Sequence, residues 1–440
     1  MLIQKSNHWQ PILQELQTSD FLAGFYHSAI AHRLRIAVWR FPNEQKPNAI
    51  VDLSGSHDTV GINLAVLPAG FLVTPFANQA ENSSYLIKAQ LFWDGTTCAF
   101  LGDLAGNERI IENKRRMLHS IKEWNHNHRN DSGKRPDFPR WFRGRTQDAE
   151  TFEATEDQYW SWVNEAVRQI KSKRLRKVVL ARNVKLPLTE SFDPLILFQD
   201  LCRHYPNAFV SVVALPGIGT WIGATPELFI RLHDHELTTV ALASTQKVSD
   251  EKKVVWDEKE LEEQEIVSDY IRECFLQQNI DTFDETGPET LRIGDLLHLQ
   301  TQFDLKLAAE NGIQSANRLL QALHPTPAVC GVPKAKALEF IREREIQDRE
   351  FYAGHLGPIN FHGRTNLFVN LRCLQLQGNS AILYAGAGIT RDSIPEQEWL
   401  ETELKLNSLR AFLDNGPASE PRSEPGIKNR ERKVLCEQGI

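Results

Sequence analysis

Leu383-Tyr-Ala-Gly-Ala-Gly-Ile-Thr390 and the stretch soon after it, Pro395-Glu-Gln-Glu-Trp-Leu-Glu-Thr-Glu-Leu-Lys405, decide how this chain is read. An apolar strand is predicted to run into a glycine-rich turn. The turn feeds a helix rich in carboxylates that ends near a lysine. Gly386 and Gly388 lack a Cβ, so the backbone there can turn sharply and bring its N–H groups close to a ligand. Successive N–H groups of this kind suit an anion. Glu398 and Glu401 stand three apart on the helix and share a face. Mg²⁺ takes one or two carboxylates plus substrate oxygens, so that pair is a candidate hard-cation site. The stretch describes a place for a carboxylated small molecule beside a metal.

Just upstream, Phe368-Val-Asn-Leu-Arg-Cys-Leu-Gln-Leu376 and Ala381-Ile-Leu-Tyr384 are predicted to pair as a hairpin across Gly378-Asn379. Arg372 lies inside the first run. A charge in an apolar strand calls for an acidic neighbour or an anionic ligand. Residues 156–173 read as an amphipathic helix, because Tyr159, Trp162, Val163, Ala166, Val167 and Ile170 recur at helical spacing. Short apolar runs follow at 177–182, 208–215, 220–223, 228–231 and 237–242, several of them separated by tight turns. That pattern predicts an antiparallel or mixed sheet, not a doubly wound one. Residues 257–277, 315–323 and 334–344 read as helices, and 291–307 contains strand-like runs.

Residues 1–125 form a divergent N-terminal region that packs on the same body. Its predicted strands are 21–26, 34–39, 49–53, 84–93 and 98–101, and 108–124 has helical spacing. Residues 126–155 read as a polar linker in which His126 and His128 have no further ligands around them. The catalytic domain is expected over 156–414. The tail 415–440 lacks the apolar content to fold and is expected to be disordered.

A chain of 440 residues can bury a sizeable core. Its net charge of −7, with both signs interspersed, leaves no basic face for nucleic acid. The run 171–177 is a solvated basic helix end, apart from its last residue, Lys177. Six cysteines without a C-x-x-C pair do not make a zinc or disulfide framework. No charged segment followed by an apolar run opens the sequence, and no apolar stretch approaches the ~20 residues of a membrane span. A soluble cytoplasmic protein with no membrane partner is expected.

Single residues read two ways. Lys177 opens a strand whose next three residues are apolar. It either snorkels outward or is a desolvated base. Glu227 follows Gly223-Ala-Thr-Pro226 and either caps a turn or serves as a general acid with a raised pKa. Glu260 and Glu263 share a helix face and are solvated charges unless a partner is supplied. His324 opens a rigid, proline-rich loop of a kind that presents side chains to sites.

Together these pieces resemble the chorismate-using enzymes: isochorismate synthases, salicylate synthases, anthranilate synthase large subunits and aminodeoxychorismate synthases. The resemblance covers residues 156–414. It rests on Arg176-Lys-Val-Val-Leu-Ala-Arg182, Ile222-Gly-Ala-Thr-Pro-Glu227, Ala241-Leu-Ala-Ser-Thr245, Lys259-Glu-Leu-Glu-Glu-Gln264, His324-Pro-Thr-Pro-Ala-Val-Cys-Gly331 and the block from Tyr384 to Lys405. Arg349-Glu-Phe-Tyr-Ala-Gly354 and Leu371-Arg-Cys373 add to it. Three positions depart from the family pattern: Ser244 and Glu350 stand where glycine is usual, and Gln264 where histidine is usual.

The resemblance implies an α+β fold of stacked antiparallel sheets covered by outer helices. It implies Mg²⁺ on Glu263 and Glu401, beside the ring carboxylate of chorismate. Tyr352 and Arg372 would grip the enolpyruvyl carboxylate, and the N–H groups around Gly386, Ala387 and Gly388 would bind carboxylate. Lys405 would join the same site, and His324 would stand beside the ring. Glu227 would protonate the departing C4 hydroxyl. Lysine at 177 points to the water-using branch, because water needs a base and ammonia does not. The expected activity is isochorismate synthase, feeding menaquinone or phylloquinone. No glutaminase subunit is expected, and the protein would act as a monomer or homodimer. The alternatives are salicylate synthase, an ammonia-using large subunit, and a chorismate-binding protein without turnover.

Overall fold

Ser380–Ile389 is one unbroken strand, so the glycine-rich stretch does not turn. Neither Gly386 nor Gly388 has a positive φ. The chain turns later, at 390–394, before the helix Pro395–Asp414. What requires glycine here is close approach. A Cβ on Gly388 would collide with Glu263 Oε1, and one on Gly386 would lie 3.1 Å from Tyr352 Oη.

The computed structural model describes residues 10–13, 18–77, 82–101, 107–130, 140–142, 144, 153–248, 254–293 and 296–414. The tail 415–440, much of the expected linker and the side chains of His126 and His128 lie outside the described residues. The first elements are β1 (Gln10–Leu13), α1 (Thr18–Ala31), β2 (Arg35–Arg40), β3 (Asn48–Asp52), β4 (Thr59–Val60), β5 (Gly70–Thr74), β6 (Ser84–Lys88), β7 (Leu91–Trp93), β8 (Cys98–Phe100) and α2 (Glu108–Asn130). Next come α3 (Glu156–Lys171), β9 (Lys177–Pro187), α4 (Pro194–His204), β10 (Phe209–Leu215), β11 (Gly219–Thr225), β12 (Leu228–His233), β13 (Glu236–Lys247) and α5 (Glu258–Gln277). The last are β14 (Asp284–Ile293), β15 (Leu296–Lys306), α6 (Gly312–Leu323), β16 (Gly331–Val332), α7 (Lys334–Arg344), β17 (His355–Ile359), β18 (Arg364–Val369), β19 (Cys373–Gln377), β20 (Ser380–Ile389) and α8 (Pro395–Asp414).

Among the described residues the strands form two antiparallel sheets. An eleven-stranded sheet runs β1-β8-β7-β3-β2-β10-β11-β19-β20-β9-β16, and a nine-stranded sheet runs β14-β15-β13-β12-β18-β17-β5-β6-β4. The first hundred residues supply strands to both. The fold is the expected α+β stack of antiparallel sheets with helices outside.

The apolar runs follow from burial on both faces of the larger sheet. In β2, Ala37 and Trp39 face the core between the sheets, while Ile36 and Val38 face a second core containing residues of α1, α2 and α4. In β10, Phe209 and Val213 face the first core, and Val210, Val212 and Ala214 the second. A strand buried on both faces loses the polar half of its alternation, which is why it reads as an uninterrupted apolar run.

Three sequence expectations change. The segment 21–26 is helix, inside α1, because Phe21, Leu22, Phe25, Tyr26, Ala29 and Ile30 repeat at helical spacing and are all buried. The predicted strand 84–93 breaks at 89–90, and its halves β6 and β7 belong to different sheets. The run 368–376 breaks at 370–372 for the same reason: β18 lies in one sheet and β19 in the other. Arg372 therefore sits between strands, not within one, at φ +46°.

The site is framed by the β20–β9 ladder, whose register runs from Ser380 opposite Pro187 to Ile389 opposite Val178. α5 and α8 supply carboxylates to it. α5 opens with a reciprocal cap in which Asp257 accepts from Glu260 N and Glu260 accepts from Asp257 N. Glu260 is thus a capping residue.

Candidate active site

A cleft opens beside this ladder. It is lined by Glu227 before β12, Ser244 and Thr245 of β13, Glu263 of α5, and His298 of β15. Tyr352 and Arg372 come from loops, Gly386 and Gly388 from β20, and Glu401 and Lys405 from α8.

Lys177 begins β9 with its side chain wholly buried, and its Nζ lies 2.9 Å from Glu263 Oε1. Snorkelling is ruled out. Among the described residues Nζ finds no acceptor at hydrogen-bond angles, so the contact is an ion pair. Glu227 is 3 % exposed in the same cleft. Burial raises its pKa to about 8, offset only in part by Lys177 and Lys405. For Glu263 burial also pushes upward, but Lys177, Lys405 and Lys259 overcome it and hold the pKa below the ordinary value. One cleft therefore contains a carboxyl that keeps its proton at neutral pH and a carboxylate that does not. That division suits an acid and an anion-bearing ligand group.

Lys405 Nζ donates to Gly386 O at 2.9 Å and to Glu401 Oε1 at 2.5 Å. The pair Glu398 and Glu401, expected from spacing alone, is not what gathers. Glu398 turns to Lys259 on α5, 3.0 Å away. Instead Glu263 and Glu401 reach the same cleft from two helices. Two carboxylates in one cleft fit Mg²⁺. Among the described residues no group of three or more His, Cys, Asp or Glu side chains gathers as a metal set. A cation here would have to complete its shell with substrate or water oxygens, as Mg²⁺ does.

Arg372, Tyr352 and the two glycines also line the cleft. Burial lowers the pKa of Arg372, and among the described residues no carboxylate lies within ion-pair distance of it. Tyr352 stacks on Tyr384 at 5.3 Å, and Tyr384 on Trp221 at 5.4 Å, which fixes the Tyr352 ring. Ala387 does not line the cleft. It lies opposite Leu180, while Val179 N and Ala181 N point away from β20 to Cys330 O and Glu345 Oε1. By antiparallel alternation Ala387 bonds to β9, and only Gly386 and Gly388 turn their N–H groups outward.

The structure does not bring His324 to the cleft. Its Nε2 lies 3.1 Å from Pro75 O, and its Nδ1 lies 3.3 Å from Nδ1 of His355. A carbonyl can only accept, so Nε2 carries the proton and His324 Nδ1 accepts from His355. Burial lowers its pKa to about 4. The cleft histidine is His298, which the sequence reading missed. Its Nδ1 lies 3.0 Å from Ser244 O, which makes that nitrogen the donor and leaves Nε2 with the lone pair. Burial and Arg372 lower its pKa to about 3, so it is neutral. The available signal was its place on the same face as Gln300 and Gln302 in a strand whose other face carries Leu297, Leu299, Thr301 and Phe303.

Ser244, standing where the family has glycine, adopts φ +58°, which a glycine adopts without strain. Its Oγ lies 2.7 Å from Glu260 O. Gln264, in place of histidine, is buried and donates to Ala241 O and Thr301 Oγ1, so it joins α5 to the sheet.

The family described as chorismate binding enzyme matches residues 86–414. The salicylate biosynthesis isochorismate synthase of Pseudomonas aeruginosa is 34% identical over 274 residues, covering 59% of this chain and 56% of that protein. The isochorismate synthase EntC of Escherichia coli is 32% identical over 241 residues, covering 53% and 61%. The match thus spans 56% and 61% of these relatives' lengths. The solved structure of MenF, the menaquinone-specific isochorismate synthase of Escherichia coli, superposes with a TM-score of 0.70 at 23% identity, over 92% of this chain and 93% of that one.

Proposed function

This chain belongs to the chorismate-binding enzymes, and on that premise we propose that it converts chorismate to isochorismate, adding water at C2 and losing the hydroxyl at C4. The observation that carries this reading is the pairing of a buried lysine, Lys177, with a buried carboxyl, Glu227, that keeps its proton to about pH 8.

Once its ammonium has released a proton, Lys177 acts as the neutral amine and takes a proton from the water that attacks C2. The ring double bonds shift, and the C4–O bond breaks as Glu227 Oε gives its proton to the leaving hydroxyl. The enzyme is restored by return of one proton to Glu227 and loss of one from Lys177. Glu263 and Glu401 would hold Mg²⁺, which when bound neutralises the ring carboxylate. Lys405 steadies Glu401. Arg372 and Tyr352 receive the enolpyruvyl carboxylate, and Gly386 and Gly388 offer N–H donors. His298, as a neutral imidazole, contacts the ring.

The proposal extends to supply of menaquinone or phylloquinone synthesis, in line with the menaquinone-specific enzyme whose fold the chain shares. It also includes action in the cytoplasm without a glutaminase subunit. Among the described residues no helix is long and apolar enough to cross a membrane. The test is incubation of purified protein with chorismate and Mg²⁺, with products separated by chromatography. Isochorismate without pyruvate is expected. Salicylate with pyruvate, or product only when ammonia or a glutaminase is supplied, would overturn the reading.

A further inference from the structure

α5 carries Glu263 and α8 carries Glu401. About one turn toward each N-terminus they carry Lys259 and Glu398. These two meet across the helices, with Lys259 Nζ donating to Glu398 Oε1 at 3.0 Å. The Glu398 side chain is 1% exposed and that of Lys259 33%. A carboxylate so deeply buried needs a counter-charge. Lys177 faces Glu263 and Lys405 faces Glu401 in the same manner. Three lysine–glutamate pairs therefore gather at or beside Glu263 and Glu401, and the first of them has no part in the proposed reaction.

We propose that Lys259 sets the divalent-cation affinity of this site, by neutralising Glu398 so that a cation beside Glu263 and Glu401 does not meet a third, uncompensated carboxylate. The inference rests on the reading of Glu263 and Glu401 as the cation-holding pair. A divalent cation feels each neighbouring unit charge twice over. One uncompensated charge several ångströms away changes its binding by roughly tenfold in a partly screened site. With Glu398 released, the cation would be held more tightly and would show less positive charge to a substrate carboxylate. Lys259 is a positioning residue in this sense. It acts through Glu398 and touches no reacting atom.

The test titrates Mn²⁺ alone into the full-length protein and reads unbound Mn²⁺ by electron paramagnetic resonance. Lys259→Met is expected to bind Mn²⁺ roughly tenfold more tightly. Glu398→Gln leaves Lys259 unpaired and is expected to bind roughly tenfold more weakly. The double variant restores the balance and should return to within about twofold of the parent. If Lys259→Met does not fold, Lys259→Gln keeps a donor for Glu398 without the charge and should tighten binding as well. Weakening in both single variants would reduce the pair to a spacer between helices. Unchanged binding in all variants would put Lys259 outside the cation's field. Either result overturns the proposal. Parent protein that takes up no Mn²⁺ would remove the reading of Glu263 and Glu401 as well, so the two failures are distinguishable.

Discussion

Two buried cation–carboxylate pairs touch β9 within a few residues of each other, and they are built differently. Arg349 and Glu345 have side chains 3% and 6% exposed. Arg349 donates to both Glu345 oxygens, to Val329 O at 2.7 Å and to Val179 O at 2.8 Å. Glu345 in turn accepts from Ala181 N at 2.8 Å. Among the described residues Lys177 Nζ, two residues before Val179, has one ion-pair contact, 2.9 Å from Glu263 Oε1, and Glu263 Oε2 accepts from Ser244 Oγ at 3.4 Å. Burying charge is costly unless hydrogen bonds replace the lost water. The arginine pair meets that condition in full, and the lysine pair meets it only through one long bond to Glu263. A saturated pair joins loops to a strand and is scaffold. An unsaturated one beside a cleft keeps bonding capacity for something that enters.

The sharpest way to break this contrast is to remove each cation in turn. Lys177→Ala should lower kcat by about 10²- to 10⁴-fold, the usual contribution of a positioned base, while chorismate binding is retained. Its unfolding free energy should change less than that of the arginine variant, because Glu263 keeps Lys405 and Lys259 as neighbouring cations. Normal turnover in this variant would mean that Lys177 is not the base. Arg349→Met should do the opposite. It strands Glu345 in the interior and should cost about 3–5 kcal/mol of stability, read from denaturant midpoints. Equal stability losses in the two variants would erase the distinction between scaffold and site.

The same contrast explains what could be read in the sequence. Lys177, Glu227, Glu263, Glu401 and Lys405 stood in short motifs, and the fold brings all five together. The sheets were legible because strands buried on both faces leave long apolar runs. The helix at Phe21–Tyr26 was not, because six residues in isolation hold too little of a 3.6-residue period to distinguish it from a strand. The breaks at 89–90 and 370–372 were hidden because residues on both sides are equally apolar, and only the stacking of two sheets decides where the chain crosses. Glycines 386 and 388 were read as turn formers, but their reason lies in Glu263 and Tyr352, far away in sequence.

Glu227 sharpens the comparison through pH. Its folded pKa of about 8 lies above its ordinary 4.5. Between these values the folded chain holds a proton that the unfolded chain has lost, so this group's contribution is present in full below 4.5 and is lost as pH rises toward 8. Glu227→Gln stays neutral throughout. Its stability should therefore exceed that of the parent at pH 8.5, by up to about a few kcal/mol, and converge with it toward pH 4.5. Parent turnover should fall as pH rises through about 8, when the acid is lost. Parallel stability curves for parent and variant would mean that Glu227 is ionised in the folded state, and it could not then be the acid.

The smallest expected effect separates the two histidines, and it tests the contrast where neither group is charged. His298 lines the cleft, while His324 holds Pro75 O and accepts from His355. Both are neutral at working pH, since burial lowers their pKa values to about 3 and about 4. His298→Ala removes a wall of the cleft and should lower kcat/KM by about tenfold, which is about 1.4 kcal/mol of transition-state binding. His324→Ala removes a buried donor from Pro75 O and should cost about 1–3 kcal/mol of stability with kcat/KM nearly unchanged. A fall in kcat/KM from His324→Ala alone would restore that residue to the substrate's side and show that contacts within the protein do not mark a histidine as scaffold. If His298→Ala loses stability and keeps its kcat/KM, lining a cleft is too weak a criterion, and saturation of hydrogen bonds remains the better guide to which buried polar groups do chemistry.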